Sequence, residues 1–187
     1  MPRQVYEYDP PERFVAGTVG QPGSRTFFLQ ARNGPRLTTV ALEKQQVAVL
    51  AERVDELLDE VLRRTGGSAA VPALTPTDTE DTAPLDTPIE QEFSVGTMSL
   101  SWDAEAERVV IECFAVTDSE QEAEDVPDHA DEAEGAVLRV ALTGAAARGF
   151  AKRALAVVAA GRPPCPFCNN PLDPEGHICP RANGYRR

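Results

Sequence analysis

The sequence predicts an α+β fold in which two βββα halves form one pseudo-twofold domain, followed by a small cysteine-bearing unit. Three observations carry this. Short apolar runs bounded by turn residues recur three times before each of two helical patterns. A Pro/Thr/Asp-rich stretch separates the two series. Three of the four cysteines fall between positions 165 and 179.

The first strand is expected over Arg13–Val19, bounded by Gly20-Gln21-Pro22-Gly23. The second covers Arg25–Arg32, with Arg25, Phe27 and Leu29 on one face and Thr26, Phe28 and Gln30 on the other. Asn33-Gly34, a strong tight-turn pair, leads to the third, Leu37–Leu42. Glu43 opens a helix in which Val47, Leu50, Val54, Leu57, Leu58 and Val61 recur at three- and four-residue spacing. Arg63 and Arg64 suit its C-terminus, and Gly66-Gly67 ends it. These elements make the first half, residues 1–67.

Residues 68–90 read as a linker with little regular structure. The second half, 91–161, repeats the order. Strands are expected over Phe93–Asp103, Arg108–Val116 and Ala136–Leu142, with an acidic loop at 117–135. Thr143 suits the N-cap of a helix that runs to about Ala160, and Gly161 and Pro163-Pro164 stop it. Phe14-x-x-Gly17-Thr18 matches Phe93-x-x-Gly96-Thr97, and Val40-Ala41-Leu42 matches Val140-Ala141-Leu142, so an internal repeat is expected. One such unit buries little by itself, and two can share a core.

Charge is distributed unevenly. Residues 1–77 carry nine basic and nine acidic side chains, 78–135 carry one and nineteen, and 136–187 carry eight and two. The net charge of −12 disfavours general DNA binding, because phosphates repel an acidic surface. The basic end keeps a local nucleic-acid or acidic-partner site open. No stretch approaches the roughly 18–20 apolar residues of a membrane span. Met1–Pro11 lacks the apolar run of a secretory leader, so a cytoplasmic protein is expected.

The strongest chemical signal is the tail, residues 162–187. Cys165-x2-Cys168-x8-His177-x-Cys179 offers three thiolates and an imidazole, a set that suits structural Zn²⁺ in a small ribbon. Cys-x2-Cys lets one tight turn present two sulfurs, and Pro166 and Asn169-Asn170 fit that turn. The single residue between His177 and Cys179 constrains both to one strand or turn, which makes His177 the weakest member of the set. A redox pair is the alternative, but Pro166 follows the first cysteine and no helical pattern follows the motif. Four protein ligands would leave no open position for catalysis.

No catalytic set stands out. Gly17-x-x-Gly20-x-x-Gly23 lacks a following Gly-Lys-Ser/Thr, and Ser24 and Ser101 lack a Gly-x-Ser-x-Gly setting. Cys113 sits in an apolar strand and is expected to be buried, and His129 lies in the acidic loop. Arg3, Arg13, Arg25, Arg32 and Arg36 need not converge. A non-enzymatic protein is expected.

Tyr6-Glu-Tyr8-Asp9, the run Arg13–Arg32, Arg162-Pro-Pro-Cys-Pro-Phe-Cys168 and Gly176-His-Ile-Cys-Pro-Arg-Ala-Asn-Gly184 together resemble a conserved actinobacterial family of unassigned function. The resemblance covers the chain except the linker and the acidic loop. It implies no established enzymatic activity. A ParJ-like member of that family is linked to control of ParA assembly, so the resemblance implies a ParA-type segregation ATPase as a protein partner. The ligands Cys165, Cys168, His177 and Cys179 carry over by motif, with Asn169-Asn170 where Gly is more usual. The expected role is a regulator or adaptor acting through protein contact. The alternative is nucleic-acid binding through Arg162, Arg181, Tyr185, Arg186 and Arg187.

Overall fold

The computed structural model describes residues 4–117, 135–161, 164–172 and 176–181. Seven strands form β1 (Val5–Tyr8), β2 (Arg13–Val19), β3 (Thr26–Asn33), β4 (Arg36–Leu42), β5 (Gln91–Asp103), β6 (Arg108–Ala115) and β7 (Val137–Leu142). Helix α1 (Lys44–Thr65) follows β4, and α2 (Gly144–Ala159) follows β7. Both helices start as their sequences dictate. Glu43 and Gln46 make a capping box on α1, and Thr143 Oγ1 accepts from Ala146 N at 3.1 Å on α2. Gly66, left-handed at φ 59°, closes α1.

The sheet order is β1-β7-β6-β5-β4-β3-β2. Strands β2-β3-β4 and β5-β6-β7 are antiparallel meanders. The two junctions outside the meanders are parallel. The first residues of β5 run beside β4, with Phe93 opposite Val40. From Val95 onward β5 pairs with β6, with a register shift between Val95 and Met98. At the other end β1 runs beside β7, with Tyr8 opposite Val140. Each half therefore lends a strand to the last strand of the other.

Two expectations change here. Strand β1 falls in a stretch where the sequence predicts no element. The proposed match of Phe14 to Phe93 also fails, because Tyr8 holds beside Val140 the place that Phe93 holds beside Val40. Phe14 lies in the next strand, opposite Ala31. The match of Val40 to Val140 coincides with this register.

One face of the sheet and both helices share the main core, which includes Tyr8, Phe27, Leu29, Val40, Leu50, Leu58, Ile111, Leu138, Val140 and Phe150. Fully burying a side chain of this kind contributes about 1.5–3 kcal/mol. Helices α1 and α2 pack on each other, and Phe14 stacks on Phe150 with ring centroids 4.6 Å apart. Arg148 of α2, buried, bonds Asp55 and Asp59 of α1 and the Pro72 carbonyl.

The 68–90 segment has little regular structure beyond a 3-10 turn at Thr77–Thr79, yet it is packed as a strap. Leu85 is buried with Val15, Phe28 and Ala41 on the outer face of β2-β3-β4. Gln30 receives the Asp86 N–H at 2.8 Å and donates to the Asp86 carbonyl at 2.9 Å. Arg13 and Arg32 stand directly opposite on β2 and β3, a repulsive pairing that Asp86 relieves by meeting both. Arg13 also bonds Asp81 and the Ala83 and Pro84 carbonyls. Both sheet edges are capped by guanidinium groups, Arg36 on the Glu7 carbonyl and Arg153 on the Ala16 carbonyl.

Gly149 of α2 lets the strap close. A Cβ there would lie 2.7 Å from the Thr79 carbonyl oxygen and 2.8 Å from Thr79 Cβ. Alanine gains about 1 kcal/mol of helix propensity over glycine. The clash with strap backbone outweighs it, and Gly149→Ala is expected to destabilise by about 1–3 kcal/mol. A raised urea midpoint for this variant would contradict that seating.

Asp81 supplies a pH dependence. The Arg13 hydrogen bond holds its carboxyl below the ordinary 3.8, against the opposing effect of burial. A depressed folded pKa means that the contribution is complete above 3.8 and is lost as pH falls from there through the folded value. Asp81→Asn is expected to cost about 1–2 kcal/mol near neutrality. The difference between wild type and variant should shrink in urea titrations below that pH. A difference that stays constant down to full acid unfolding would show that the pair contributes nothing.

Candidate metal centre

The tail backbone forms a knuckle. Cys165 N donates to the Asn170 carbonyl at 2.8 Å, Asn169 N donates to the Cys165 carbonyl at 2.9 Å, and Pro164 bridges Pro171. Asn169 takes the left-handed conformation at φ 61°, which asparagine tolerates better than most residues. Gly176, at φ 90°, precedes His177 on the returning chain. This backbone brings Cys165, Cys168, His177 and Cys179 together, with all four ligand atoms within 4.8 Å of one another.

The spacing suits a tetrahedral ion. Two thiolates bound at about 2.3 Å stand about 3.8 Å apart, and a thiolate and an imidazole about 3.5 Å apart. Cys165 Sγ lies 3.8 Å from Cys179 Sγ, and Cys168 Sγ lies 3.3 Å from His177 Nε2. The four side chains could hold a metal ion.

The local electrostatics favour deprotonating one sulfur first. Burial works to raise the Cys165 thiol, but the N–H groups of Cys168 and Phe167 and the neighbouring thiols outweigh it and lower its pKa. At Cys168 the Asn170 N–H works to lower the pKa, but burial and the neighbouring sulfurs raise it on balance. An incoming cation displaces such protons, so uptake depends on pH.

The family model described as "Protein of unknown function (DUF3090)" matches residues 6–179, a span that contains all four ligands. The chain belongs to the DUF3090 family. No curated protein and no solved structure matches it.

Among the described residues, the remaining candidates of this DUF3090 protein do not form a second centre. Cys113 is fully buried on β6, and burial followed by the Glu112 charge pushes its thiol up to about 12, where it is no nucleophile. Of the five tail residues proposed for nucleic-acid contact, Arg181 is described; its Nη1 donates to the Phe167 carbonyl at 3.3 Å. Arg162, Tyr185, Arg186 and Arg187 lie outside the described residues, as do His129, Arg3 and most of the acidic loop. Among the described residues, Arg13, Arg25, Arg32 and Arg36 do not converge on one site. Arg13 and Arg32 meet Asp86, Arg25 donates to the Ala160 carbonyl at the end of α2, and Arg36 covers Tyr8. Among the described residues, no helix is long and apolar enough to cross a membrane.

Two features of the centre escaped the sequence reading. Phe167 and Ile178, each beside a ligand, are 61% and 84% exposed. Their apolar character would place them in a core. The knuckle instead gathers Cys165, Cys168, His177 and Cys179 and leaves Phe167 and Ile178 outside.

Proposed function

We propose that the protein is a non-enzymatic adaptor whose C-terminal unit is closed by a structural zinc ion and which acts by binding another protein. The observation that carries this reading is the inward-facing Cys3His set with Phe167 and Ile178 exposed beside it. Soft thiolates and an imidazole favour zinc among the common cellular ions. Four protein ligands fill its tetrahedron, which suits a structural ion. Exposed apolar side chains on an ordered knuckle are groups that a protein partner buries. A cytoplasmic setting keeps the thiols reduced for the metal. The pseudo-twofold relation of the halves belongs to the same reading, and the reciprocal lending of β1 and β5 supports it.

The family resemblance makes a ParA-type segregation ATPase the first partner to test. Titration of the purified ATPase into the zinc-loaded chain should show saturable binding. The double variant Phe167→Ser, Ile178→Ser should abolish binding with zinc content unchanged. Absence of binding by the zinc-loaded wild type would remove this partner. A salt-dependent shift of a labelled oligonucleotide by the wild type would put nucleic-acid binding first.

A further inference from the structure

We infer that the groove between the strap and α2 binds a small carboxylate that has an apolar body. The groove holds about 380 Å³, within the range of small-ligand sites. Strap residues 80–82 form one wall, and Gly149, Ala156, Val157 and Ala160 supply a surface of small and apolar side chains.

Arg153 directs the charge preference. Its side chain is 12% exposed. Its Nε donates to the Ala16 carbonyl, and its Nη1 donates to Asp81 and to the Ala83 carbonyl. Nη2 has no hydrogen-bond partner among the described residues. Among the described residues Arg153 pairs with one carboxylate, Asp81, which is shared with Arg13, so its charge is under-compensated there. Burial lowers its pKa more than Asp81 raises it, as expected of such a cation.

Lys152 is the second cation. It pairs with Glu80, but both side chains are about half exposed, and exposed pairs of this kind are weak. The ammonium can therefore turn to an incoming anion. Glu80 and Asp81 remain in the wall and repel a second negative charge, which favours a monoanion over a phosphate dianion. The carboxylate would meet Arg153 Nη2 and Lys152, and the body would lie along Ala156, Val157 and Ala160.

Octanoate is the probe, titrated calorimetrically into the purified full chain, with octanol and octylammonium as controls. Octanoate is expected to bind, and both controls at least tenfold more weakly. Lys152→Ala should weaken octanoate severalfold. Ala156→Phe, at an exposed position on the groove, should fill the space and weaken it at least tenfold. Neither should change the urea midpoint or the zinc content, which separates this site from the metal centre. The inference is overturned if millimolar octanoate does not bind, if octanol binds as tightly, or if Ala156→Phe binds like wild type.

Discussion

Tyr8→Ala is expected to cost about 3–5 kcal/mol, the range for removing a buried aromatic side chain. Tyr8 is 1% exposed. It stands opposite Val140 on β7, its hydroxyl shares a 2.7 Å hydrogen bond with Thr38 Oγ1, and the Arg36 guanidinium lies 4.0 Å from its ring centroid. One side chain thus ties β1 to both β7 and β4. Tyr8→Phe keeps the ring and removes the hydroxyl, at about 1–2 kcal/mol, because buried Thr38 is left unpaired. Tyr6, half-buried on the same strand, should cost much less when changed to alanine. Urea unfolding of the three variants tests the order. Tyr8→Ala within 1 kcal/mol of wild type would show that the borrowed strand adds little.

Cys179→Ser is expected to reduce bound metal from one ion per chain to below a tenth, and Cys165→Ser likewise. Both sulfurs are buried and are 3.8 Å apart, so neither site offers a replacement ligand nearby. Cys113→Ala should keep the full complement, since its sulfur lies in the main core. The fold of the remainder should persist in all of them. Among the described residues, none beyond Val158 belongs to or packs on the main core, and a unit this small relies on its ion for order. Elemental analysis beside far-ultraviolet circular dichroism separates the two effects. Equimolar metal in Cys179→Ser would refute the ligand assignment.

Much of this was legible in the chain because the signals are local. The short run Arg13–Val19 bounded by turn residues and the three- and four-residue spacing after Glu43 each lie within one element, and the observed bounds differ from the expected ones by at most two residues. The four ligands converge because their spacing sits inside fifteen residues. What escaped depends on distant partners. Val5–Tyr8 is four residues long and polar in alternation, and its partner lies more than 130 positions away, so nothing within the segment marks it as a strand. The strap reads as a linker because Pro, Thr and Asp suit one. Its order comes from Arg13, Gln30 and Arg153, which supply partners for its carbonyls and carboxylates from three other elements. Composition reports the tendency of a segment alone and is silent about a surface built to receive it.

The pairing of β1 with β7 also sets a timetable. During synthesis Tyr8 leaves the ribosome early, and Val140 follows about 130 residues later, roughly 7–26 s at ordinary elongation rates. Through that interval the first strand has no sheet to join, and the first meander lacks a parallel neighbour until β5 emerges. Neither half can be completed as it emerges. The nascent chain holds exposed apolar strands until its last quarter is made, and a ribosome that stalls before residue 137 releases an unfinished sheet fit for degradation or a chaperone rather than a shortened working protein.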